Sequence, residues 1–486
     1  MHHHRWIRLR LLALMFLEYF VWGAWSVQIG SYMNGCLGFS GGQIGWIYAA
    51  TALGAMISPI FVGYIADRYF STERVFGLLH AAGSLSLFLA ATATTFPALM
   101  TLIVLQALCF MPTLPLANNL AFRNIDQPDK FPRIVVGGTI GWIVAGLAVG
   151  FFLGGTTGDF FYCAAGAEAV LALYSVALPH TPPKGKETGG QDVLGLTTAR
   201  LLKRPAFLVF AIAIPLATIA ATFYTTWMNA FLGELHLPRP TALMTLSQIS
   251  GVVVLIFLPW FIAKIGMKSV LVIGMGFYAL RYLLFASTET AAIVSGLLMH
   301  GFSYDFVIIG ASIYAARVVP PSMSARAQSF IALLTFGVGT FIGAQVAGRV
   351  GHMYAPQTIL AEQQNGSGAE RLRVPLPAWN ASEDAGSGLP QRLGAIDDVI
   401  TLRFLENLPK SGVGIDLGGK TRYARKDLIE AFRTADENRD GVVTSAEWER
   451  PRRHSWPKVW IWGAGLAILA GLLFWVGGRE PQDVAE

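Results

Sequence analysis

Two carboxylates stand in the middle of apolar runs long enough to cross a membrane. Glu18 lies within LEYFVWGAW and Asp305 within HGFSYDF. A charge at the centre of a membrane-length helix costs roughly 2.5–3.5 kcal/mol on insertion scales, so each is a functional candidate, and the chemistry it offers is proton exchange. Glu18 shares a helical face with Trp22 and Trp25; Asp305 stands beside Tyr304, one turn from His300. His80, Glu168 and Arg281 are also ionisable and also sit in apolar runs. For these a structural pair or a snorkelling side chain is the simpler expectation. Uncharged polar groups accompany them: Asn118 and Asn119 after two prolines in PTLPLANN, Thr222, Thr225 and Asn229 at i, i+3 and i+7, and Gln248 in SQIS. Aromatic faces with amides and hydroxyls suit a flat, polar, uncharged ligand such as a nucleobase on a sugar, or a sugar alone.

A second chemistry is written in DENRDGVVTSAE. Asp436, Asn438 and Asp440 occupy positions 1, 3 and 5 of a twelve-residue loop, and Gly441 stands at 6, where the chain turns sharply. Val442 offers a backbone carbonyl at 7, Thr444 a direct or water-bridged oxygen at 9, and Glu447 a bidentate carboxylate at 12. That is the oxygen ligand set of an EF-hand, and one calcium ion is expected there, with no organic cofactor. A calcium-binding staple, rather than a sensor, is the expected role.

The elements that must position these residues follow from hydropathy and charge. Apolar stretches fall at 8–33, 43–66, 74–94, 98–122, 134–155, 160–179, 206–233, 241–264, 268–287, 291–316, 326–353 and 457–477. Each is about 20 residues or more, enough to span a bilayer core of about 30 Å. Lys and Arg concentrate in alternate gaps, and the short gaps of the other set hold Arg239 alone. That bias predicts twelve spans with both termini cytoplasmic. Hydrophobic residues make up 53% and charged residues 14%, which excludes an ordinary soluble domain. The net charge of +6 is topological, and no basic patch with interleaved aromatics points to nucleic acid. Cys36, Cys109 and Cys163 form no disulfide framework. The basic, apolar start resembles a signal peptide, but the run continues without a small-residue cleavage site, so a first span is expected instead.

The layout expected is an N-terminal six-helix half (1–179), a cytoplasmic linker (180–205), helices 7–11 (206–354), an extracytoplasmic helical insert with the calcium loop (355–455), and helix 12 with a cytoplasmic tail (456–486). Between spans two and three stands GYIADRYFSTER, with Gly63, Asp67, Arg68 and Arg74. This resembles the gating-loop motif of the major facilitator superfamily, which implies an all-α bundle of two six-helix halves. In that fold helices 1, 4, 7 and 10 line the cavity, which favours Glu18 and Asp305 as proton-coupling groups over His80, Glu168 and Arg281.

WGAWSVQIGSYM (22–33), ADRYFSTERVFGLLHAAGSLSLFLAA (66–91), FMPTLPLANNLAF (110–122), GGTIGWIVAG (137–146), LPHTPP (178–183), LSQIS (246–250), LRYLLFA (280–286) and HGFSYDF (300–306) together resemble the nucleoside:H⁺ symporter family within that superfamily. The resemblance implies proton-coupled uptake of nucleosides by alternating access in a bacterial inner membrane, a monomeric transporter and no enzyme. It implies ligand contacts from Trp22, Asn118, Thr139, Trp142, Thr222, Thr225, Asn229, Gln248, His300 and Tyr304. Val135 stands where the family carries an Arg, Gly137 where it carries a Trp, and Gly251 where it carries a Glu. Such losses imply an altered or weaker ligand preference. The alternatives are a transporter of another small polar solute, such as a modified nucleoside or a sugar, and a calcium-responsive receptor that no longer transports.

Overall fold

The computed structural model describes the chain outside residues 1, 126–130, 154–156, 184–195, 320–322, 357, 366–367, 376–399, 402–414, 417–420, 424, 437–441, 445–446, 449–452 and 482–486. The chain divides into two compact units, Met1–His352 with Val459–Glu486, and Met353–Lys458.

The larger unit is all-helical. Its N-terminal half contains α1 (His2–Ser26), α2 (Ile29–Gly35), α3 (Gly41–Arg68), α4 (Thr72–Ala90), α5 (Phe96–Phe110), α6 (Thr113–Asn124), α7 (Phe131–Ala148) and α8 (Asp159–Tyr174). Its C-terminal half contains α9 (Pro205–Glu234), α10 (Pro240–Ile265), α11 (Met267–Ala286), α12 (Thr290–Leu298), α13 (His300–Tyr304), α14 (Gly310–Val318), α15 (Ser324–Ala332) and α16 (Thr340–Met353). Local chemistry sets the boundaries. Ser40 starts α3 with a capping box, its hydroxyl accepting from the Gln43 N–H while the Gln43 side chain accepts from the Ser40 N–H. Proline opens α9 and α10, where a missing N–H costs nothing. Gly266, at φ +81°, ends α10. Glu480, from the C-terminal tail, accepts from the N–H groups of Met267 and Lys268 at 3.2 and 3.1 Å and so caps α11.

Ten helical stretches among the described residues are long and apolar enough to cross a membrane, and the bent pair Thr290–Leu298 and His300–Val318 makes eleven. The remaining expected span, 74–94, is the helix α4; its polar His80, Ser84 and Ser86 set it apart from the others. The prolines of PTLPLANN divide their span: α5 ends at Phe110, Pro112 caps the next segment, and Pro115 sits in the first turn of α6.

Span ten is broken twice. The axis bends by 47° between α12 and α13, and a π-helical turn, Asp305–Ile309, follows α13. Gly301 permits the bend, since a Cβ there would lie 2.6 Å from the Ser250 carbonyl oxygen on α10. Two further π-helical stretches occur among the described residues: Val149–Leu153 follows α7, and Leu333–Gly339 joins α15 to α16.

The smaller unit corrects the expectation of a helical insert. It carries strands β1 (Thr358–Asn365), β2 (Gly368–Pro375), β3 (Ile400–Thr401), β4 (Ile415–Asp416), β5 (Thr421–Tyr423) and β6 (Val442–Val443) with one helix, α17 (Arg425–Ala435). β2, β1, β5 and β4 form an antiparallel sheet in that order; β3 and β6 pair separately. ILAEQQ in β1 shows no alternation of apolar and polar residues, and RLRV in β2 alternates over only four, so neither strand announces itself by a period of two. The last helix, α18 (Trp456–Gly477), follows.

Candidate functional site

On the N-terminal side, α1 presents Tyr19 and Trp22, both half-buried. Trp22 meets Trp142 of α7 edge to face at 5.5 Å and Phe110 at 6.0 Å. Glycines on the facing helix make this approach: a Cβ at Gly138 would strike the Tyr19 ring at 2.6 Å. Thr139, one turn before Trp142, is also half-buried.

On the C-terminal side, three rings stack in sequence. The His300 ring lies 5.3 Å from Tyr224 and 5.2 Å from Tyr304, nearly parallel to the latter at 15°. Tyr224 is anchored through Ser247, its hydroxyl donating at 3.0 Å and the serine donating on to the Leu297 carbonyl at 3.1 Å. Arg281 closes the stack from behind. It is 0% exposed, lies 4.4 Å over the Tyr224 ring, and its Nη1 donates to His300 Nδ1 at 2.9 Å and Ser303 Oγ at 3.1 Å. A guanidinium only donates, so His300 Nδ1 accepts and its proton sits on Nε2.

Asp305 follows Tyr304 at the start of the π-helical turn. Its Oδ2 has no hydrogen-bond partner among the described residues. It faces Gly251, where a Cβ would lie 3.5 Å away and meet nothing else. Gly251 therefore leaves room for a Cβ in ordinary van der Waals contact with the carboxylate. Gln248, one turn before Gly251, is half-buried with no hydrogen bond among the described residues.

Three other expected ligand contacts make hydrogen bonds within the protein. Thr222 donates to the Thr218 carbonyl at 2.8 Å and Thr225 to the Thr222 carbonyl at 3.0 Å. Asn229 donates to Thr241 Oγ1 at 2.8 Å and accepts from Ser31 Oγ at 2.5 Å, so it ties the halves together. Asn118 is exposed on α6.

Glu18 does not face Trp22 across a cavity. It is 0% exposed and turns to α4 and α6, reaching His80 at 3.0 Å and Thr113 at 2.6 Å. His80, Glu168 and Arg281, set aside because outer helices carry them, are thus brought against the two expected carboxylate regions. The signal for them was energetic: an ionisable group buried in an apolar helix needs a partner, and each of these lacks one on its own helix.

In the loop between α3 and α4, Arg68 lies 5.7 Å over Tyr69 and Arg74 is exposed. Gly63 has open space about its Cα; the Asp67 side chain lies outside the described residues.

In the calcium motif, Asn438, Asp440 and Gly441 lie outside the described residues. The framing elements are described. α17 leads into Asp436, Phe432 stacks on Trp448 at 4.2 Å, and Val443 is fully buried in β6. Thr444 and Glu447 form a reciprocal cap, with Glu447 Oε2 accepting from the Thr444 N–H at 3.0 Å and its hydroxyl at 2.7 Å. No group of three or more His, Cys, Asp or Glu side chains gathers among the described residues. The oxygen donors of this segment are of the type that calcium takes, and β6 pairs with β3.

The membrane unit thus has two helical halves, rings clustered in each of them, and a helix broken at a buried carboxylate. The fold is shared with the crystal structure of the nucleoside transporter NupG, at TM-score 0.71 and 24% identity over 97% of this chain and 98% of that one. It is also shared with a bacterial homologue of the lysosomal transporter Spinster, at TM-score 0.60 and 14% identity over 97% of this chain and 96% of that one. The chain belongs to the nucleoside H⁺ symporter family, whose model matches residues 6–364. It is 39% identical to the putative nucleoside transporter YegT of Escherichia coli K12 over 356 residues, 70% of this chain and 83% of YegT. It is 31% identical to the nucleoside permease NupG of the same organism over 379 residues, 73% of this chain and 90% of NupG. The family match takes in α1 to α16 and stops short of the calcium motif.

Proposed function

We propose that this protein carries a nucleoside into the bacterial cell together with a proton, by alternating access between its two halves. α4 crosses as the twelfth span, both termini are cytoplasmic, and the insert is extracytoplasmic. The observation that carries the reading is Asp305: a carboxylate half-way along a broken helix, with an oxygen that has no hydrogen-bond partner among the described residues and room for no more than a small side chain's contact at Gly251. Trp22, Trp142 and Tyr304 offer ring faces to a base, and Thr139, Gln248 and the His300 Nε2–H offer hydrogen bonds. A protonated Asp305 can donate to a bound ligand, and a ligand that accepts there favours the proton, so each binding event promotes the other. In proteoliposomes, radiolabelled uridine should accumulate under an inward proton gradient and the accumulation should collapse with a protonophore. Asp305→Asn should lose accumulation and keep uridine exchange. Equal uptake with and without the gradient, unaffected by Asp305→Asn, would refute the reading. Val135 and Gly251 favour a second reading, another small polar solute; a thermal-shift panel of nucleosides, nucleobases and sugars separates the two.

We also propose that Asp436, Asn438, Asp440, Val442, Thr444 and Glu447 hold one calcium ion that stabilises the insert. The Thr444–Glu447 cap must open for Glu447 to ligate. On full-length protein, millimolar calcium should raise the unfolding temperature of the insert. Glu447→Gln should abolish the gain without changing uridine uptake. A ligand at 100 times its dissociation constant adds about 2.7 kcal/mol. Calcium-dependent uptake abolished by Glu447→Gln would make the loop a sensor instead.

A further inference from the structure

In the N-terminal half, helices converge on three ionisable side chains sealed from solvent. Glu18 of α1, His80 of α4 and Glu168 of α8 are each 0% exposed. His80 Nδ1 lies 3.2 Å from Glu168 Oε1, and its Nε2 lies 3.0 Å from Glu18 Oε2. The first pair is a hydrogen bond; the second is close but poorly aligned, so it acts as a charge contact. Gln106 Nε2 donates to the other Glu168 oxygen at 3.0 Å. Gly83 makes room for this group, because a Cβ there would collide with Glu168 and approach the Gln106 oxygen at 2.7 Å. Phe76 and Phe110 set their rings edgewise to the imidazole at 4.3 and 5.9 Å. The other titratable neighbours are Tyr19 beside Glu18 and Cys109 beside Glu168. No lysine or arginine pairs with the three among the described residues.

Proton counting gives the cluster its function. An imidazolium between two carboxylates leaves a net charge of minus one, sealed in apolar surroundings with no counter-cation, which is costly. One more proton on a carboxylate brings the charge to zero. The hydrogen bonds say where it goes. Thr113 Oγ1 lies 2.6 Å from Glu18 Oε1 and 2.5 Å from the Phe110 carbonyl oxygen. One hydroxyl proton serves one of these. A carbonyl only accepts, so both contacts are hydrogen bonds only when Glu18 carries a proton and donates to Thr113. Glu18 also precedes Tyr19 and stands one turn from Trp22 on α1, so a shift of α1 would move the loose Glu18–His80 contact and the ligand-facing rings together.

We infer that Glu18, His80 and Glu168 form a second proton-holding unit, distinct from Asp305, loaded when sealed and discharged when α1 shifts against α4 and α8. Its role in uptake rests on the transport reading above; its protonation does not. The test uses the full-length protein in liposomes. Infrared difference spectra between acid and alkaline pH should contain a carboxylic-acid C=O band that moves when glutamate carboxyls are labelled with ¹³C. That band should be lost in Glu18→Gln and kept in Asp305→Asn. Glu168→Gln, which preserves the shape and the Gln106 contact, should lose gradient-driven uridine accumulation and keep uridine exchange. An acid band unmoved by glutamate labelling, or Glu168→Gln accumulating uridine like the unmodified protein, overturns the inference. The labelled spectrum needs neither a variant nor a transported ligand. Absence of uptake by the unmodified protein therefore refutes the transport reading while the proton unit stands or falls on its band.

Discussion

Glu73 gives the motif LPHTPP a physical meaning. It stands one residue ahead of the expected span 74–94, in the first turn of α4, and reaches the start of the linker. One oxygen accepts from the Thr181 N–H at 3.0 Å and the other meets His180 Nδ1 at 2.8 Å. The Thr72 N–H donates to the Thr181 carbonyl at 3.0 Å, and Asn124 at the end of α6 donates to the Thr181 hydroxyl at 2.9 Å. The linker is thereby fastened to the ends of two helices. Burial works to raise the Glu73 carboxyl, but the Ser71 hydroxyl, the His180 imidazole and the N–H groups of Glu73 and Thr181 outweigh it and hold it below its ordinary value of 4.5. A carboxylate lowered on folding stabilises the protein above its unfolded value, and that contribution is lost as pH falls through the folded one. The unfolding temperature of the unmodified protein should therefore exceed that of Glu73→Gln at neutral pH, and the difference should vanish only on acidification below the usual carboxylate range. A difference that disappears already between about pH 6 and 8, above the ordinary carboxylate range, would overturn the assignment of the clamp to this carboxylate.

At the scale of elements, apolar length and loop charge locate the helices well, because bilayer thickness fixes the length of a span. Rotation about each axis is not written there. α10 and α18 are apolar all round, so their sequences name no inward face. That is why Glu18 reads as a cavity residue beside Trp22 although the two point to different neighbours, His80 and Trp142. α4 shows the same limit. His80, Ser84 and Ser86 read as isolated polar residues. They meet Glu168 and the Ala165 carbonyl at 2.8 Å, both on α8, and the Leu102 carbonyl at 2.7 Å on α5. The break in span ten is hidden for another reason. HGFSYDF contains no proline, and its bend depends on Gly301 resting against α10. The π-helical turn there re-aims Asp305, a local rearrangement frequent at functional sites. In the insert, strands β1 and β2 form by pairing with each other, which neither segment shows by itself.

The whole membrane unit is closed at one end by glycine-mediated contacts between its halves. A Cβ at Gly45 of α3 would lie 2.6 Å from the Ala344 carbonyl oxygen of α16, and one at Gly348 would strike the Gly41 carbonyl oxygen. Gly150 meets the Ala242 nitrogen of α10 at 2.7 Å, and Gly30 the Thr226 carbonyl oxygen of α9 at 2.8 Å. Ser31 donates to Asn229 at 2.5 Å and Asn34 to Glu234 at 3.4 Å across the same seam. Arg239, the lone cation of its gaps, lies 4.4 Å over the Phe151 ring of the opposite half. In the topology proposed above this is the extracytoplasmic end. α6 and α14, towards the other end, pack on helices of their own halves. Alternating access requires this seam to open. The seam has no slack for a side chain, so Gly45→Leu or Gly150→Leu should penalise the closed arrangement without touching the ligand site. Overpacking costs about 1–3 kcal/mol, which is a factor of about 5–150 in a two-state equilibrium. Spin labels at positions 37 and 235, on opposite sides of the seam, should report a longer distance in either variant than in the unmodified protein. An unchanged distance in both variants, with the protein folded, would mean that the seam is a permanent joint and that the halves do not part there.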